Sequence, residues 1–438
     1  MNYREISEVR DGMRIDWDMP IKMDDGVVLR CDIFRPTTEG KYPVILTMGP
    51  YGKWLHFDDL YSAQWKTMCE THPEVPTDST NKYQVWEVVD PEKWVPDGYV
   101  VVRVDSRGAG RSQGVIDIWS LREAKDLAIC VDWAGVQPWS NGKVGLNGIS
   151  YFGQNQWQCA ALQPKHLAAM IPWEAAADFY RDMAHHGGIF NRGFVQDLLQ
   201  VRHPGEKFVE RHENEWPLAR TQWTKQYLHL DKHTLGDQPP SAEASVTYAG
   251  LGDGVTLMTP PLAQATEITG PIAAKLWVSS STRDADLFLI VRAFDPNMKE
   301  VVFQGALDPN TPIAQGWLRV SHRKLDPKLS LPYRPYHTHD QEQPMQPGTV
   351  YEVDVEVWPT CIVLPKGYRL ALTVRGKDYV YPGGPSKGLE TLGTQWHGCG
   401  PFVHNDPRDR PADVFGGDVT LYSGPKHQAH LLLPVIPT

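Results

Sequence analysis

Four short, unbroken apolar runs in the N-terminal part of the chain set the tightest limit on its fold. They are Pro43-Val44-Ile45-Leu46-Thr47-Met48, Tyr99-Val100-Val101-Val102-Arg103-Val104, Lys143-Val144-Gly145-Leu146-Asn147-Gly148-Ile149 and Leu167-Ala168-Ala169-Met170-Ile171-Pro172. Each is too short for a helix and is bounded by Gly or Pro, which predicts central strands buried on both faces. Helical patterns lie between them. Leu121 to Gly135 sets Leu121, Ala124, Leu127, Ala128, Val131 and Trp133 along one stripe, with Glu123, Lys125 and Asp126 outside. Tyr151 to Leu162 reads as a second helix. Strands alternating with helices predict βαβ units and a mostly parallel sheet. Upstream, Asp24-Asp25-Gly26 reads as the turn of a strand pair over residues 18–36.

The pattern changes after Asp178. Residues 178–200 read as helical, and residues 201–244 are polar and mixed, without a strand of the earlier kind. From Gly270 onward the chain reads as all-β. Strands are predicted at Ala273–Ser279, Ala285–Phe294, Val301–Gln304, Gln315–Ser321, Val350–Trp358, Tyr368–Val374, Val419–Tyr422 and Ala429–Val435. Many short strands with turns between them predict a sandwich or jelly roll.

Composition narrows the partners. The net charge is −10 and no basic run is present, which argues against nucleic acid. No run of about 18 apolar residues occurs, so no membrane span is predicted. The N-terminus has no apolar core of a secretory signal, and the six cysteines form no C-x-x-C pair. Together these predict free thiols and a cytoplasmic location. His337-Thr338-His339-Asp340 could chelate, but its Pro-rich polar surroundings favour a solvated loop, and no metal is expected.

Gly148-Ile149-Ser150-Tyr151-Phe152-Gly153 falls where a buried strand turns into a helix. Such a turn lifts a serine hydroxyl off the sheet, although the second glycine comes one residue later than in G-x-S-x-G. The helix N-terminus aims amide N–H groups at a developing oxyanion. Without that context, Ser150 would read as a helix N-cap. Tyr51 follows the first buried strand, where a phenol could donate to the same oxyanion, or simply pack in its loop. Asp105 to Gly114 lacks G-K-[ST] and reads as a structural loop tied by an Asp–Arg pair.

Several motifs in order carry a resemblance: Asp25-Gly26-Val27-Val28-Leu29 with Ile33-Phe34-Arg35-Pro36; Gly49-Pro50-Tyr51-Gly52-Lys53; Asp97-Gly98-Tyr99 leading to Asp105-Ser106-Arg107-Gly108; Gln137-Pro138-Trp139-Ser140-Asn141-Gly142-Lys143-Val144-Gly145 running into Gly148-Ile149-Ser150-Tyr151; and Asn405-Asp406-Pro407-Arg408-Asp409-Arg410-Pro411. Over most of its length the chain resembles the α/β-hydrolase family of cocaine esterase, the α-amino acid ester hydrolases, glutaryl acylase and the X-Pro dipeptidyl-peptidases. The resemblance implies an α/β-hydrolase domain over residues 1–195, including the start of a helical cap, and a jelly roll over residues 245–438. It implies Ser150 as nucleophile, with the Tyr51 hydroxyl and the Tyr151 amide as oxyanion hole. It also implies ester, amide or short-peptide substrates, an acyl-enzyme and no cofactor.

The acid and base of a triad are missing from this pattern. The order is serine, then Asp or Glu, then His, each at a strand end, yet no buried-strand run follows Pro172 before the β region. The family's Trp–Tyr–Asp and Gly–Pro–Trp–x–His contexts are absent. An internal deletion within residues 195–212, in a linker spanning 196–244, accounts for this and predicts a sheet lacking its last strands. Stand-in acids are Asp178, Asp182, Asp197, Glu206, Glu210 and Asp231; stand-in histidines are His185, His186, His203, His212, His229 and His233. None has a strand-end context. Two rivals therefore stand beside an active serine hydrolase: an inactive homologue that keeps the β domain for binding or assembly, and an enzyme with a rebuilt triad. A truncated sheet also predicts association, including a homo-oligomer.

Overall fold

The computed structural model describes residues 5–191, 211, 213–303, 308, 310–382, 398–400 and 402–437. These divide after Ala177 into two compact units. The first contains β1 (Ile6–Arg10), β2 (Met13–Lys22), β3 (Val28–Pro36), β4 (Tyr42–Gly49), α1 (Phe57–Leu60), α2 (Ser62–Thr71), α3 (Pro91–Trp94), β5 (Val100–Asp105), α4 (Leu121–Gly135), β6 (Ser140–Ile149), α5 (Tyr151–Ala161) and β7 (Leu167–Trp173). The sheet order is β1-β2-β3-β5-β4-β6-β7. β1, β2, β3 and β5 join antiparallel, while β5, β4, β6 and β7 run parallel.

The apolar runs become β4 to β7, as predicted. Alternation splits β5 between two cores. Val100, Val102 and Val104 pack with Val44, Leu46 and Leu146 under Leu127, Cys130 and Val131 of α4. Val101 turns to the other face, with Ile15, Phe34, Tyr83 and Val95. β5 is therefore buried along its whole length.

Two expectations for this unit need correction. Glu123 and Asp126 of α4 point inward, while Leu121 is exposed. The buried carboxylates are held by partners. Glu123 accepts from Ser106 Oγ at 2.8 Å, and Asp126 accepts from Arg107 at 2.8 and 2.9 Å. β7 is not a central strand buried on both faces. It closes the sheet order and exposes Ile171 and Trp173. The Gln156 side chain on α5 satisfies both backbone groups of Ile171, at 2.9 and 3.1 Å.

The second unit begins with a π-helical turn, Tyr180–Ala184, then β8 (His185–His186) and β9 (Ile189–Phe190). Residues 178–191 are thus a turn and hairpin rather than the expected helix, and 192–200 lie outside the described residues. There follow β10 (Gln222–His229), β11 (Thr234–Gly236), β12 (Ala244–Ala249), β13 (Val255–Met258), β14 (Thr266–Ser280), β15 (Asp286–Phe294), β16 (Glu300–Val301), β17 (Ala314–Arg319), β18 (Tyr351–Leu364), β19 (Arg369–Arg375), α6 (Ala412–Phe415), β20 (Asp418–Ser423) and β21 (His430–Ile436). β10 and β11 come from the 196–244 stretch read as a linker. β10 was hidden because its surface is mostly polar, with Leu228 its one fully buried side chain.

The order β14-β18-β17-β15-β19-β13-β11-β10-β21 returns to β14, closing the sheet into a barrel. β14 makes closure possible. It is 15 residues long, carries a bulge between Gly270 and Ile272, and pairs with β18, β20 and β21 in succession. Ile268, Leu276, Val278, Leu289, Val355 and Leu372 are among its core residues. The region is all-β as expected, with its ladder closed on itself rather than divided into two open sheets.

Candidate active site

β6 ends at Ile149, α5 begins at Tyr151, and Ser150 is the whole connection. A one-residue reversal requires unusual backbone, and Ser150 has φ +56° and ψ −115°. The Ser150 N–H donates to Trp173 O at 2.9 Å, and Ser150 O accepts from Gly153 and Gln154 at 3.0 and 2.8 Å. The flanking glycines have no room for a side chain. A Cβ on Gly148 would lie 2.2 Å from Phe152 Cβ, and one on Gly153 would lie 2.7 Å from Trp173 O.

Tyr51 reaches the same place from the end of β4. Its ring meets Tyr151 and Phe152 edge to face, with centroids 5.9 and 5.6 Å away. Asn155 Nδ2 donates to Met48 O at 2.7 Å, pinning α5 against that strand end. Burial, followed by the fields of Glu87 and Tyr61, raises the Tyr51 phenol pKa, so it is neutral and able to donate at pH 7. The Tyr151 hydroxyl is already committed to the Glu123 carboxylate, and its ring stacks on Trp119 at 5.3 Å. Its backbone amide lies in the first turn of α5. The first unit thus brings Ser150, Tyr51 and Tyr151 together.

Ser150 is not the exposed side chain the motif suggested; only 7% of it is accessible. Glu87 lies beside it: Ile149 N donates to Glu87 O at 3.1 Å, and Ser150 is among the groups that act on the Glu87 carboxyl. Glu87 is equally buried. Burial first, and the nearby Glu174 carboxylate second, push its pKa up to about 8. Sequence reasoning missed both acids. The only signal for Glu87 was an acid among apolar neighbours in Val85-Trp86-Glu87-Val88, and Glu174 directly follows an apolar run.

The stand-ins fall elsewhere or outside view. Asp197, His203, Glu206, Glu210 and His212 lie outside the described residues. Asp178, Asp182, His185, His186, His229, Asp231 and His233 belong to the second unit. There Asp178 pairs with Arg181, and His186 is buried between His404 at 2.9 Å and the Asp182 carbonyl at 3.0 Å. His404 in turn pairs with Asp378 at 2.7 Å. Among the described residues, no group of three metal-ligating side chains converges. His337 bonds to Asp354 O at 3.0 Å, and His339 to His322 at 2.9 Å.

The loop after β5 is structural, with one correction. Asp105 accepts from the backbone N–H groups of Lys53 and Arg111, at 2.7 and 3.0 Å, not from a guanidinium. The Arg111 guanidinium pairs with Asp18 instead. Lys53 Nζ joins the same buried cluster, 2.6 Å from Asp18 and 2.9 Å from Asp32. Burial works against the Lys53 charge, but these carboxylates outweigh it and the net shift is upward.

The fold is that of the CocE/NonD family hydrolases. A structure of a CocE/NonD family hydrolase from Staphylococcus aureus superposes with a TM-score of 0.80 at 26% identity, covering 97% of this chain and 94% of that one. An α-amino acid ester hydrolase structure shares the fold, with a TM-score of 0.61 at 13% identity, covering 98% of each chain. The chain belongs to the X-Pro dipeptidyl-peptidase family S15, whose model matches residues 25–253; the family's C-terminal non-catalytic domain matches residues 192–430. Cocaine esterase of a Rhodococcus species is 34% identical over 161 residues, 37% of this chain. That match spans 24% of the esterase's length. Among the described residues, no helix is long and apolar enough to cross a membrane.

Proposed function

We propose that this chain hydrolyses ester or amide bonds with Ser150 as nucleophile. The observation that carries the reading is the left-handed backbone of Ser150 between a parallel strand and a helix, with Tyr51 beside it. Ser150 attacks the carbonyl and forms an acyl-enzyme, which water then cleaves. The Tyr51 hydroxyl and the Tyr151 amide hold the oxyanion. The substrates are acyl or aminoacyl esters and amides, with X-Pro dipeptides in the same set, and no cofactor is needed. The β-barrel is read as the family's jelly roll. The test is hydrolysis of p-nitrophenyl acetate with Ser150→Ala as control. Turnover lost in that variant supports the reading, and turnover indifferent to it overturns the reading.

A second reading, an impaired homologue that keeps the barrel for binding, draws on the outer edge of the sheet. Among the described residues no further strand pairs with the outer edge of β7, where the strands that present a triad acid and histidine would lie. Under that reading, wild type and Ser150→Ala hydrolyse the ester equally slowly.

A further inference from the structure

We infer that Glu87 is the proton acceptor for Ser150 in this chain, an inference that rests on the serine-hydrolase reading above. Three observations converge on it. Ser150 is among the groups that act on the Glu87 carboxyl, and both residues are buried. The Glu87 backbone is fixed to the elbow through Ile149 N, one residue before Ser150. Strained backbone also gathers here: Glu87, Trp119, Ser150 and Glu174 all have positive φ, at 64°, 56°, 56° and 46°. Left-handed conformations cost about 1–3 kcal/mol each at non-glycine residues and persist where the surroundings enforce them, often at functional sites.

The surroundings suit a base. An ordinary glutamate, with a pKa near about 4.3, is too weak to take a proton from a serine hydroxyl efficiently. The groups facing Glu87 are Ser150 at the elbow, Trp86 on its own loop, Tyr51 after β4, Tyr61 before α2 and Glu174 after β7. Trp86 is walled by Phe57 and Tyr61, with centroids 4.7 and 4.0 Å away. An aromatic wall and a neighbouring carboxylate both disfavour the charged form, which makes the carboxylate more basic. The carboxylate form then appears as pH rises through about 8, close to the range where a general base is most effective.

The proton path closes. As the bond from Ser150 Oγ to the carbonyl carbon forms, the hydroxyl proton passes to the Glu87 carboxylate and the carbonyl π pair moves onto oxygen. When the tetrahedral intermediate collapses, the leaving oxygen takes that proton from the Glu87 carboxylic acid and departs as the alcohol. Water then attacks the acyl carbon and gives a proton to Glu87, which returns it to Ser150 Oγ as the acid leaves. Ester and water become acid and alcohol, and the protein is regenerated.

The test follows acylation of Ser150 by a p-nitrophenyl ester, and its labelling by a fluorophosphonate located by mass spectrometry, from pH 5 to 10. Wild-type rates are expected to rise with pH and level off near about 8. Glu87→Gln should lose that step and fall by about 10²–10⁴-fold, while Glu87→Asp recovers part of the rate. Glu174→Gln should move the step to lower pH, a displacement that a purely structural role for Glu87 would not produce. If Glu87→Gln does not fold, the Glu174→Gln profile decides: a step moved down supports the inference, and an unmoved step overturns it. Ser150 reacting with an unchanged profile in Glu87→Gln overturns the inference and leaves the serine reading intact. Wild-type protein in which Ser150 is never modified overturns both.

Discussion

The backbone N–H of Ser150 donates to the carbonyl oxygen of Trp173, 2.9 Å away. This bond ties the candidate nucleophile to the last residue of β7, the outermost strand of its sheet, so the strained elbow and the exposed edge form one mechanical unit. Gly153 reinforces the tie, because its missing Cβ is what lets α5 approach the same carbonyl.

Gly153→Ala should therefore loosen the elbow. The added Cβ would sit 2.7 Å from Trp173 O and 2.8 Å from Ala175 Cβ. Overpacking of this kind costs about 1–3 kcal/mol. Thermal denaturation should show a lower Tm, and Ser150 labelling should fall with it. A variant as stable as wild type would show that strand and helix are not in close register.

Glu123 anchors Tyr151 from below. Its carboxylate accepts from Ser106 Oγ at 2.8 Å, Trp119 N at 2.9 Å and the Tyr151 hydroxyl. Glu123→Ala strands three donors, each costing about 1–3 kcal/mol if left unpaired in the interior. Tyr151→Phe removes one donor and leaves a carboxylate that still has two. Urea denaturation should rank Glu123→Ala well below Tyr151→Phe in stability.

Lys53 belongs to a family-like motif but neutralises a buried pair of carboxylates, Asp18 and Asp32. Lys53→Met leaves both without their central cation, a change of the kind that costs about 3–5 kcal/mol. The expected result is protein that fails to accumulate or melts far lower. Normal stability would mean that Arg111 alone can balance the cluster.

Glu87 should leave a signature in the pH dependence of stability. Its folded pKa is about 8, against an ordinary value of 4.5. Between these values the folded state holds a proton that the unfolded state has released, so stability falls as pH rises. Each unit of pKa difference is worth about 1.4 kcal/mol. The contribution is fully present below about 4.5 and is lost as pH rises through about 8. Denaturation midpoints for wild type and Glu87→Gln, measured from pH 4 to 9, should diverge with the variant gaining at high pH. Parallel curves would place Glu87 in water.

The edge of β7 carries exposed Ile171 and Trp173. An apolar edge strand is a template for association. Size-exclusion chromatography should show concentration-dependent self-association, and an Ile171→Lys, Trp173→Lys double variant should reduce it. A wild-type protein that stays monomeric at high concentration would show that the edge is protected.

The strands β4 to β7 and the helices α4 and α5 were legible in the sequence, because apolar runs of strand length and a helical stripe reflect local periodicity. Ser150 was legible because a strand, a turn and a helix are adjacent in the chain. Its neighbours in space were not. Glu87 reaches the elbow from the segment between α2 and α3, and nothing in Trp86-Glu87-Val88 announces that its carboxyl will be buried. Glu123 and Asp126 read as surface acids because an amphipathic pattern counts charge, whereas their burial depends on Ser106, Tyr151 and Arg107 arriving from other elements. The barrel closes because β14 is long and bulged enough to pair with β18, β20 and β21. Local residue patterns thus determined which segments became strands and helices and where a nucleophile could stand. Which polar groups share a low-dielectric pocket, and therefore which proton acceptor Ser150 meets, is a property of long-range packing, and only the tertiary structure decided it.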